Sequence, residues 1–183
     1  MSVSQYIADT YGSKRGLVRY IKFNALASLG AYRHAKGNNV QHTQRLIYIC
    51  SGNICRSPFG EFVAHKADFP AISFGLHCRG GDPAFAKTLD YAQRHNYALD
   101  SHRSTNMQDY EPKEGDLLIV MEPAHLAELD ALYPNQNKVL IGLYATPKTV
   151  YLHDPYNTNQ LFFDKCMAQI EQATQALIKQ IQK

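Results

Sequence analysis

The sequence predicts an α/β domain built on a four-stranded parallel sheet with helices on both faces. Two observations lead to this prediction. Short apolar runs of strand length alternate along the chain with longer segments whose apolar residues recur at helical spacing. Two of the runs, residues 116–121 and 138–143, are almost wholly apolar, which is typical of strands buried on both faces. A chain of 183 residues is long enough for one such domain and a modest appendage.

The appendage is a basic amphipathic N-terminal extension, residues 1–43. It holds six Lys or Arg and one acidic residue, for a net charge of +5, whereas the remaining residues carry −2. Residues 17–33 have apolar side chains at helical spacing and predict one helix. Arg19 and Lys22 interrupt the apolar run, which argues against a transmembrane span and against a secretory signal. A turn at Gly37-Asn38-Asn39 then predicts a domain boundary near residues 37–43.

Three interpretations of the N-terminal helix remain open. The favoured one is a helix docked on its own domain or on a second copy of the chain. The second is an interfacial helix whose basic residues face anionic lipid at a membrane surface. The third is a recognition helix for a partner protein.

The catalytic-domain candidate, residues 44–183, contains the remaining elements in alternating order. Strands are predicted at residues 46–49, 71–74, 116–121 and 138–143, and helices at residues 57–68, 83–96, 123–132 and 159–182. Ser57 is expected to be the N-cap of the first of these helices, and Pro58 its first residue. Such alternation implies right-handed crossovers between parallel strands.

The loop between the first strand and the first helix of this domain carries the chemistry. Small residues at Ser51, Gly52 and Asn53 allow backbone N–H groups to turn inward and form a nest for an anion, with the positive end of a helix behind it. Arg56 adds a two-pronged guanidinium for two phosphate oxygens. The same dipoles favour a thiolate at Cys50. The pattern therefore predicts a nucleophile and an oxyanion cradle in one loop, as expected for cysteine-dependent phosphoryl transfer.

Two motifs in this chain resemble a known family. Cys-Ser-Gly-Asn-Ile-Cys-Arg-Ser-Pro at residues 50–58 and Asp-Pro-Tyr at residues 154–156 are similar to the two signatures of the bacterial low-molecular-weight protein tyrosine phosphatases. The resemblance covers residues 44–183 and leaves the N-terminal extension outside. It implies a strand order of 2-1-3-4, a phosphate-binding loop at the carboxyl end of the first strand, and no metal or other cofactor.

The resemblance also implies roles for individual residues. Cys50 is the expected nucleophile, which forms a cysteinyl-phosphate, and Asp154 is the expected general acid. Ser57 is expected to donate to the thiolate, and His102 to support the loop together with its asparagine. The expected phosphate-binding set is Ser51, Gly52, Asn53, Ile54, Cys55 and Arg56.

The substrate slot is expected to be open. Tyr156 is the expected wall for a phenyl ring. Residues 76–79 contain no aromatic side chain, so His77 or Arg79 is expected to face the substrate.

The four cysteines include no CxxC pair, which argues against a zinc site or a disulfide scaffold. A working Cys50 must stay reduced, so the cytoplasm is the expected compartment. For Cys55 two interpretations stay open, a small buried side chain or a reversible disulfide with Cys50 that protects it from over-oxidation.

The resemblance implies a protein tyrosine phosphatase, a cysteine-dependent phosphoric monoester hydrolase. Ile54 favours phosphotyrosine, because related phosphoarginine phosphatases carry Thr there. Cys78 and Cys166 are too far apart in sequence to suggest the relay of an arsenate reductase. A non-catalytic phosphotyrosine-binding module remains the alternative from another class. The implied partner is a phosphotyrosine protein, by analogy a tyrosine kinase of polysaccharide export, and no nucleic acid is expected.

Overall fold

The computed structural model describes residues 1–37 and 40–183. At its centre is a four-stranded sheet in the order β2-β1-β3-β4, and every neighbouring pair is parallel. The strands are β1 (Arg45–Cys50), β2 (Ala71–Gly75), β3 (Asp116–Val120) and β4 (Asn137–Leu140). This arrangement confirms the predicted fold class and strand order.

Six α-helices surround the sheet. They are α1 (Val3–Tyr11), α2 (Lys14–Ser28), α3 (Arg56–Lys66), α4 (Ala86–Arg94), α5 (Pro123–Leu132) and α6 (Gln160–Ile181). Helices α3, α4 and α6 bury their apolar residues against one face of the sheet. Helix α5 packs on the other face, where side chains of α2 also join the core.

The alternation of side chains along β1 explains this two-faced core. Leu46 and Tyr48 point into the cluster under α3 and α6, whereas Ile47 and Ile49 point into the cluster under α5. All four are fully buried, because successive residues of a strand face opposite sides of a sheet that is covered on both. The apolar character of the run thus follows from its central position.

Helix α3 lies unusually close to β1 at Gly60. A Cβ atom at this position would stand 2.5 Å from Cδ1 of Tyr48, which is too close for any side chain. Tyr48 in turn donates a hydrogen bond from its hydroxyl to Thr174 Oγ1 of α6, at 3.1 Å. The close approach fixes the first turn of α3, and with it the preceding loop, against the end of β1.

The N-terminal prediction needs correction. One helix was expected over residues 17–33, but the structure has two helices, α1 and α2. Gly12 ends α1 with a left-handed φ of 77°, and Ser13 caps α2 by accepting a hydrogen bond from the Gly16 N–H group. Helix α2 ends at Ser28, just before Gly30, whose φ is 91°.

Two other predicted boundaries differ. The fourth strand ends at Leu140, because Ile141–Tyr144 winds into a 3₁₀ turn. Helix α4 begins at Ala86 rather than at residue 83. The remaining predicted strands and helices agree with the structure to within two residues at each end.

Of the predicted turn at Gly37-Asn38-Asn39, Asn38 and Asn39 lie outside the described residues. On either side of them, Ala35 and Val40 are fully buried in the core. The division of the chain at residues 43 and 44 stays a prediction. Over residues 1–37 and 40–183, no helix combines the length and the apolar character needed to cross a bilayer.

Candidate active site

The predicted phosphate loop lies at the carboxyl end of β1 and leads directly into α3. It forms the floor of a cavity of about 210 Å³. The cavity is lined by Cys50, Ser51, Gly52, Ile54, Cys55, Arg56, Asp154 and Tyr156. The structure thus brings together residues that lie about a hundred positions apart in sequence. Of the other predicted site residues, Asn53, Ser57 and His102 lie behind the loop rather than in the cavity.

The loop backbone has the geometry of an anion nest. Asn53 has a left-handed φ of 52°, which turns the chain between ordinary right-handed neighbours. Within the described residues, no backbone N–H group from Ser51 to Cys55 donates to a backbone carbonyl. Backbone donors in a folded protein are nearly always paired, so a run of free ones suits an oxyanion ligand.

Asn53 is fully buried and ties the loop to its surroundings through its side-chain amide and its carbonyl oxygen. Its Nδ2 donates to Ser57 Oγ at 2.9 Å and to Ser73 Oγ at 2.7 Å. Its Oδ1 accepts from the Thr105 N–H group at 2.7 Å, and its carbonyl oxygen lies 2.7 Å from His102 Nε2. His102 therefore supports the loop through the Asn53 backbone.

Ser57 is not the N-cap of α3, contrary to the prediction. The helix begins at Arg56, and Cys55 occupies the N-cap position without a capping side-chain hydrogen bond. Ser57 is the second helical residue, and its hydroxyl lies 3.0 Å from Cys50 Sγ. Because Ser57 lies within the first turn and not at the cap position, its hydroxyl is available to contact the thiol.

Arg56 is the largest fully buried side chain of the site, with 1% of its surface exposed. Its Nη1 donates to Glu122 Oε1 at 3.3 Å and to the Leu152 carbonyl oxygen at 3.0 Å. Its Nη2 lies 3.0 Å from Asp154 Oδ2. Burial opposes the charge, but the carboxylates of Asp154 and Glu122 outweigh burial and raise the pKa of Arg56.

One donor of Arg56 has no acceptor in the part of the chain that the structure describes. Its Nε–H group is buried and unpartnered. A buried unsatisfied donor costs about 1–3 kcal/mol. The free Nε–H group together with Nη2 forms a two-pronged edge whose spacing matches two oxygens of a phosphate group.

Asp154 reaches the cavity from the segment between the 3₁₀ turn and α6. Its side chain is 44% exposed, in contrast to the guanidinium that it contacts. Its Oδ1 also accepts a hydrogen bond from the Tyr156 N–H group at 3.2 Å. The carboxylate is therefore oriented from two sides while one edge stays open to the cavity.

The aromatic wall involves a residue that sequence reasoning did not assign. The ring of Tyr156 packs on that of Phe85, with centroids 4.5 Å apart, and Phe85 in turn contacts Phe163 of α6 at 6.2 Å. The expected contribution of His77 or Arg79 is wrong, because neither lines the cavity. His77 lies 3.4 Å from Glu128 on α5 instead.

Two further residues missed from the sequence lie under the loop. Glu122 follows β3 and anchors Arg56. His125, one turn later, lies 3.3 Å from Glu122 Oε1 and 3.1 Å from Ser51 Oγ through its Nε2. Burial, and then the charge of Arg56, lower the pKa of His125 well below its usual value, which favours the neutral ring beside Glu122. The sequence signal that could have identified them is their position just after a predicted parallel strand, because ligands bind at the carboxyl edge of such sheets.

Of the other cysteines, Cys55 and Cys166 are buried, and Cys78 is partly exposed. Burial raises the pKa of Cys55, and it raises the pKa of Cys166 to about 12. Cys78 and Cys166 do not line the cavity. All four cysteines are free in the structure.

Comparison with known proteins gives a consistent result. Residues 45–183 match the model of a family described as low molecular weight phosphotyrosine protein phosphatase. The low molecular weight protein-tyrosine-phosphatase Etp of Escherichia coli K12 is 30% identical over 143 residues, which cover 75% of this chain and 95% of Etp.

Solved structures with the same fold include two with different named substrates or ligands. Wzb of Vibrio vulnificus, in complex with benzylphosphonate, is 26% identical with a TM-score of 0.65, over 75% of this chain and 99% of Wzb. The YwlE arginine phosphatase of Geobacillus stearothermophilus is 16% identical with a TM-score of 0.69, over 76% of this chain and 93% of YwlE. At that identity the second likeness shows the fold alone.

Proposed function

The chain belongs to the low molecular weight phosphotyrosine protein phosphatase family, and from this premise we propose that it hydrolyses phosphotyrosine in proteins through a cysteinyl-phosphate intermediate. One observation carries the proposal. The Cys50 thiol stands in a loop of free backbone N–H groups, with the buried Arg56 guanidinium and the Asp154 carboxylate lining the same cavity.

Phosphate binding comes first. The backbone N–H groups of residues 51–56 and the Nε–Nη2 edge of Arg56 hold the three non-bridging oxygens. Arg56 is pre-positioned because Glu122 and the Leu152 carbonyl hold its Nη1 from behind. Preorganised donors of this kind act where a phosphoryl transition state spreads its charge.

In the first chemical step, the Cys50 thiolate attacks phosphorus and the bond to the tyrosine oxygen breaks. Asp154 gives its proton to the departing phenolate. The step therefore requires Asp154 to release Arg56 Nη2, with which it pairs in the free protein at 3.0 Å. An incoming phosphate supplies the replacement acceptor.

In the second step, water attacks the phosphorus of the cysteinyl-phosphate while Asp154 accepts a proton from that water. Inorganic phosphate forms and Cys50 leaves as a thiolate. The Ser57 hydroxyl, 3.0 Å from Sγ, donates to that thiolate and stabilises it as a leaving group.

The walls of the cavity favour an aromatic substrate. Ile54 and Tyr156 line it, and Phe85 packs behind Tyr156. Apolar and aromatic walls suit a phenyl ring better than a guanidinium. We therefore propose phosphotyrosine over phosphoarginine. A tyrosine kinase of polysaccharide export as the physiological substrate remains a prediction from the resemblance. The cytoplasm as the compartment remains a prediction from the need to keep Cys50 reduced.

We also propose an anionic membrane surface as the partner of the outer face of α2. Val18 and Ile21, three positions apart on α2, and Leu29, the C-cap of the helix, are 65%, 59% and 83% exposed. Every charged side chain of this helix is basic, namely Lys14, Arg15, Arg19 and Lys22. An apolar stripe edged by cations alone is the pattern of an interfacial helix.

The experiment that tests the proposed function measures hydrolysis of p-nitrophenyl phosphate, a phosphotyrosine peptide and a phosphoarginine peptide by the reduced protein. We expect turnover of the first two, and a loss of at least about a thousandfold in Cys50→Ser. Asp154→Asn should lose about a hundredfold or more, the usual contribution of general acid catalysis.

The outcomes separate the alternatives. Binding of the phosphotyrosine peptide without turnover would support a non-catalytic module. Faster hydrolysis of the phosphoarginine peptide would overturn the proposed substrate class while keeping the chemistry. Full activity of Cys50→Ser would remove the proposed mechanism.

A further inference from the structure

The segment that carries Asp154 is held at several points by the two N-terminal helices. Helices α1 and α2, with the turn between them, form a hairpin, residues 3–28, that lies outside the family match. The segment from Thr149 to Asn159, here called the acid loop, has Asp154 near its middle. We infer that the N-terminal hairpin positions the Asp154 carboxylate by fixing the acid loop on both sides of it, an inference that rests on the proposed function.

The first contact lies immediately beside Asp154. Ser13, in the turn of the hairpin, has its Oγ 3.2 Å from His153 Nε2. The other ring nitrogen, His153 Nδ1, is 2.6 Å from the Tyr151 hydroxyl. Both nitrogens of His153 are thus engaged, one by the hairpin and one by the acid loop itself, which fixes the ring orientation.

The hairpin also surrounds the same ring sterically. A Cβ atom at Gly12 would stand 2.6 Å from His153 Cδ2, and one at Gly16 would stand 3.0 Å from it. Two glycines at these positions therefore let the hairpin backbone approach the ring closely. Phe162 of α6 also contacts the ring, with centroids 5.9 Å apart.

Two further contacts hold the ends of the acid loop. Phe23 of α2 packs on Tyr151 with ring centroids 5.4 Å apart, and Asn24 Nδ2 lies 3.4 Å from Thr149 Oγ1. Beyond Asp154, Asn159 Nδ2 donates to Asp9 Oδ1 of α1 at 2.7 Å. The hairpin therefore touches the loop before and after the carboxylate.

Small displacements of a catalytic carboxylate affect the rate of the reaction. A misplacement of about 1 Å can cost about a hundredfold in rate. Asp154 itself is 44% exposed, so packing of its own side chain does not fix it. Its placement depends on the backbone of the acid loop, and the hairpin contacts four side chains of that loop, those of Thr149, Tyr151, His153 and Asn159.

The test uses the full chain and two variants that act on the hairpin contact without removing a site residue. Ser13→Gly removes the hydroxyl near His153, and a glycine N-cap costs α2 only a few tenths of a kcal/mol. The double variant S13G/Y151F frees both ring nitrogens. Ser2→Ala is the matched control, because Ser2 caps α1 through the Gln5 N–H group at 3.1 Å and does not touch the acid loop.

The readout is kcat/KM for two aryl phosphates that differ in their need for a proton. Phenolate departs from phenyl phosphate with difficulty unless it is protonated, whereas dinitrophenolate departs from dinitrophenyl phosphate without a proton. We expect S13G/Y151F to lose about tenfold on phenyl phosphate and less than about twofold on dinitrophenyl phosphate, since only the first reaction uses the acid. Ser2→Ala should change neither by more than about twofold.

Asp154→Asn, measured with the same two substrates, distinguishes failure of the inference about the hairpin from failure of the assignment of Asp154 as the acid. If Asp154→Asn loses activity selectively on phenyl phosphate but the hairpin variants do not, the inference is overturned and the proposed function stands. Equal losses on both substrates in S13G/Y151F also overturn it, because they indicate general unfolding. If Asp154→Asn itself shows no selectivity, the assignment of the acid fails and the inference fails with it.

Discussion

At the scale of single residues, the Arg56 guanidinium is held by partners that are distant in sequence. Two of its acceptors are the Glu122 carboxylate, 66 positions away in sequence, and the Leu152 carbonyl oxygen, 96 positions away. A local sequence motif identifies Arg56 and Cys50, because both belong to one continuous loop of residues. It cannot identify Glu122 or Phe85, whose contacts arise only when distant strands and helices meet.

Glu122 supplies the first prediction at this scale. Glu122→Gln removes the negative charge beside a buried guanidinium and keeps one oxygen acceptor. We expect the free energy of unfolding to fall by about 1–3 kcal/mol, since a buried charged donor loses its charged partner. Urea denaturation followed by circular dichroism measures the change.

A control on the same helix sharpens this measurement. Glu128 pairs with His77 at 3.4 Å, and both side chains are at least a third exposed. Glu128→Gln should change the free energy of unfolding by less than about 0.5 kcal/mol, because exposed ion pairs contribute little. Equal effects of the two substitutions would show that Glu122 does not act through Arg56.

At the scale of elements, the sequence predicts the sheet well and the termini of helices less well. Apolar runs mark the strands because each strand is covered on both faces. The N-cap of α3 was assigned to Ser57 because serine is a good cap, but here the hydroxyl is taken up by the thiol and by Asn53. The preference of serine for the N-cap position is therefore overridden here by the hydrogen bonds around Cys50.

Helix α2 is a second case in which the sequence predicts a helix but not its ends, and it is the subject of the second prediction. Its inner face packs on the acid loop, as the favoured interpretation expected, and its outer face stays exposed. We expect the protein to co-sediment with vesicles that contain phosphatidylglycerol and not with pure phosphatidylcholine. The double variant R15E/K22E should bind at least about tenfold more weakly, since each cation near an anionic surface contributes about 1 kcal/mol.

The control for this test is Lys179→Glu, which changes an exposed cation near the end of α6. It should bind vesicles like the unaltered protein. Equal sedimentation with both lipids would contradict an electrostatic membrane contact. Equal binding by R15E/K22E and the unaltered protein would contradict a role for this face of α2.

At the scale of the whole molecule, two histidines whose pKa is lowered in the fold link stability to pH, the buried His125 and the half-buried His153. Burial, and then the charge of Arg56, lower the pKa of both His125 and His153 below 6.5. Above this value both rings are neutral in the folded and the unfolded chain. As pH falls below it, the unfolded chain takes up protons that the folded protein does not, so stability decreases.

We therefore expect the free energy of unfolding to fall as pH drops below 6.5, with a slope of at most about 1.4 kcal/mol per pH unit for each such ring. His125→Gln should make that slope shallower. His34→Gln, at a ring that is 58% exposed, should leave it unchanged. Denaturant unfolding at three pH values measures the slope, and parallel curves for His125→Gln and the unaltered protein would refute the link.

The nest around Cys50 has a consequence for how such a site can diversify. The free donors of residues 51–55 are peptide groups, so they persist when side chains at Ser51, Gly52 or Ile54 are exchanged. Such exchanges reshape the walls of the cavity. Asn53 differs, because its left-handed backbone and buried amide hold the whole turn. Under the proposed function, substitutions within residues 51–55 can thus change which substrate fits the cavity without changing how the phosphate is bound.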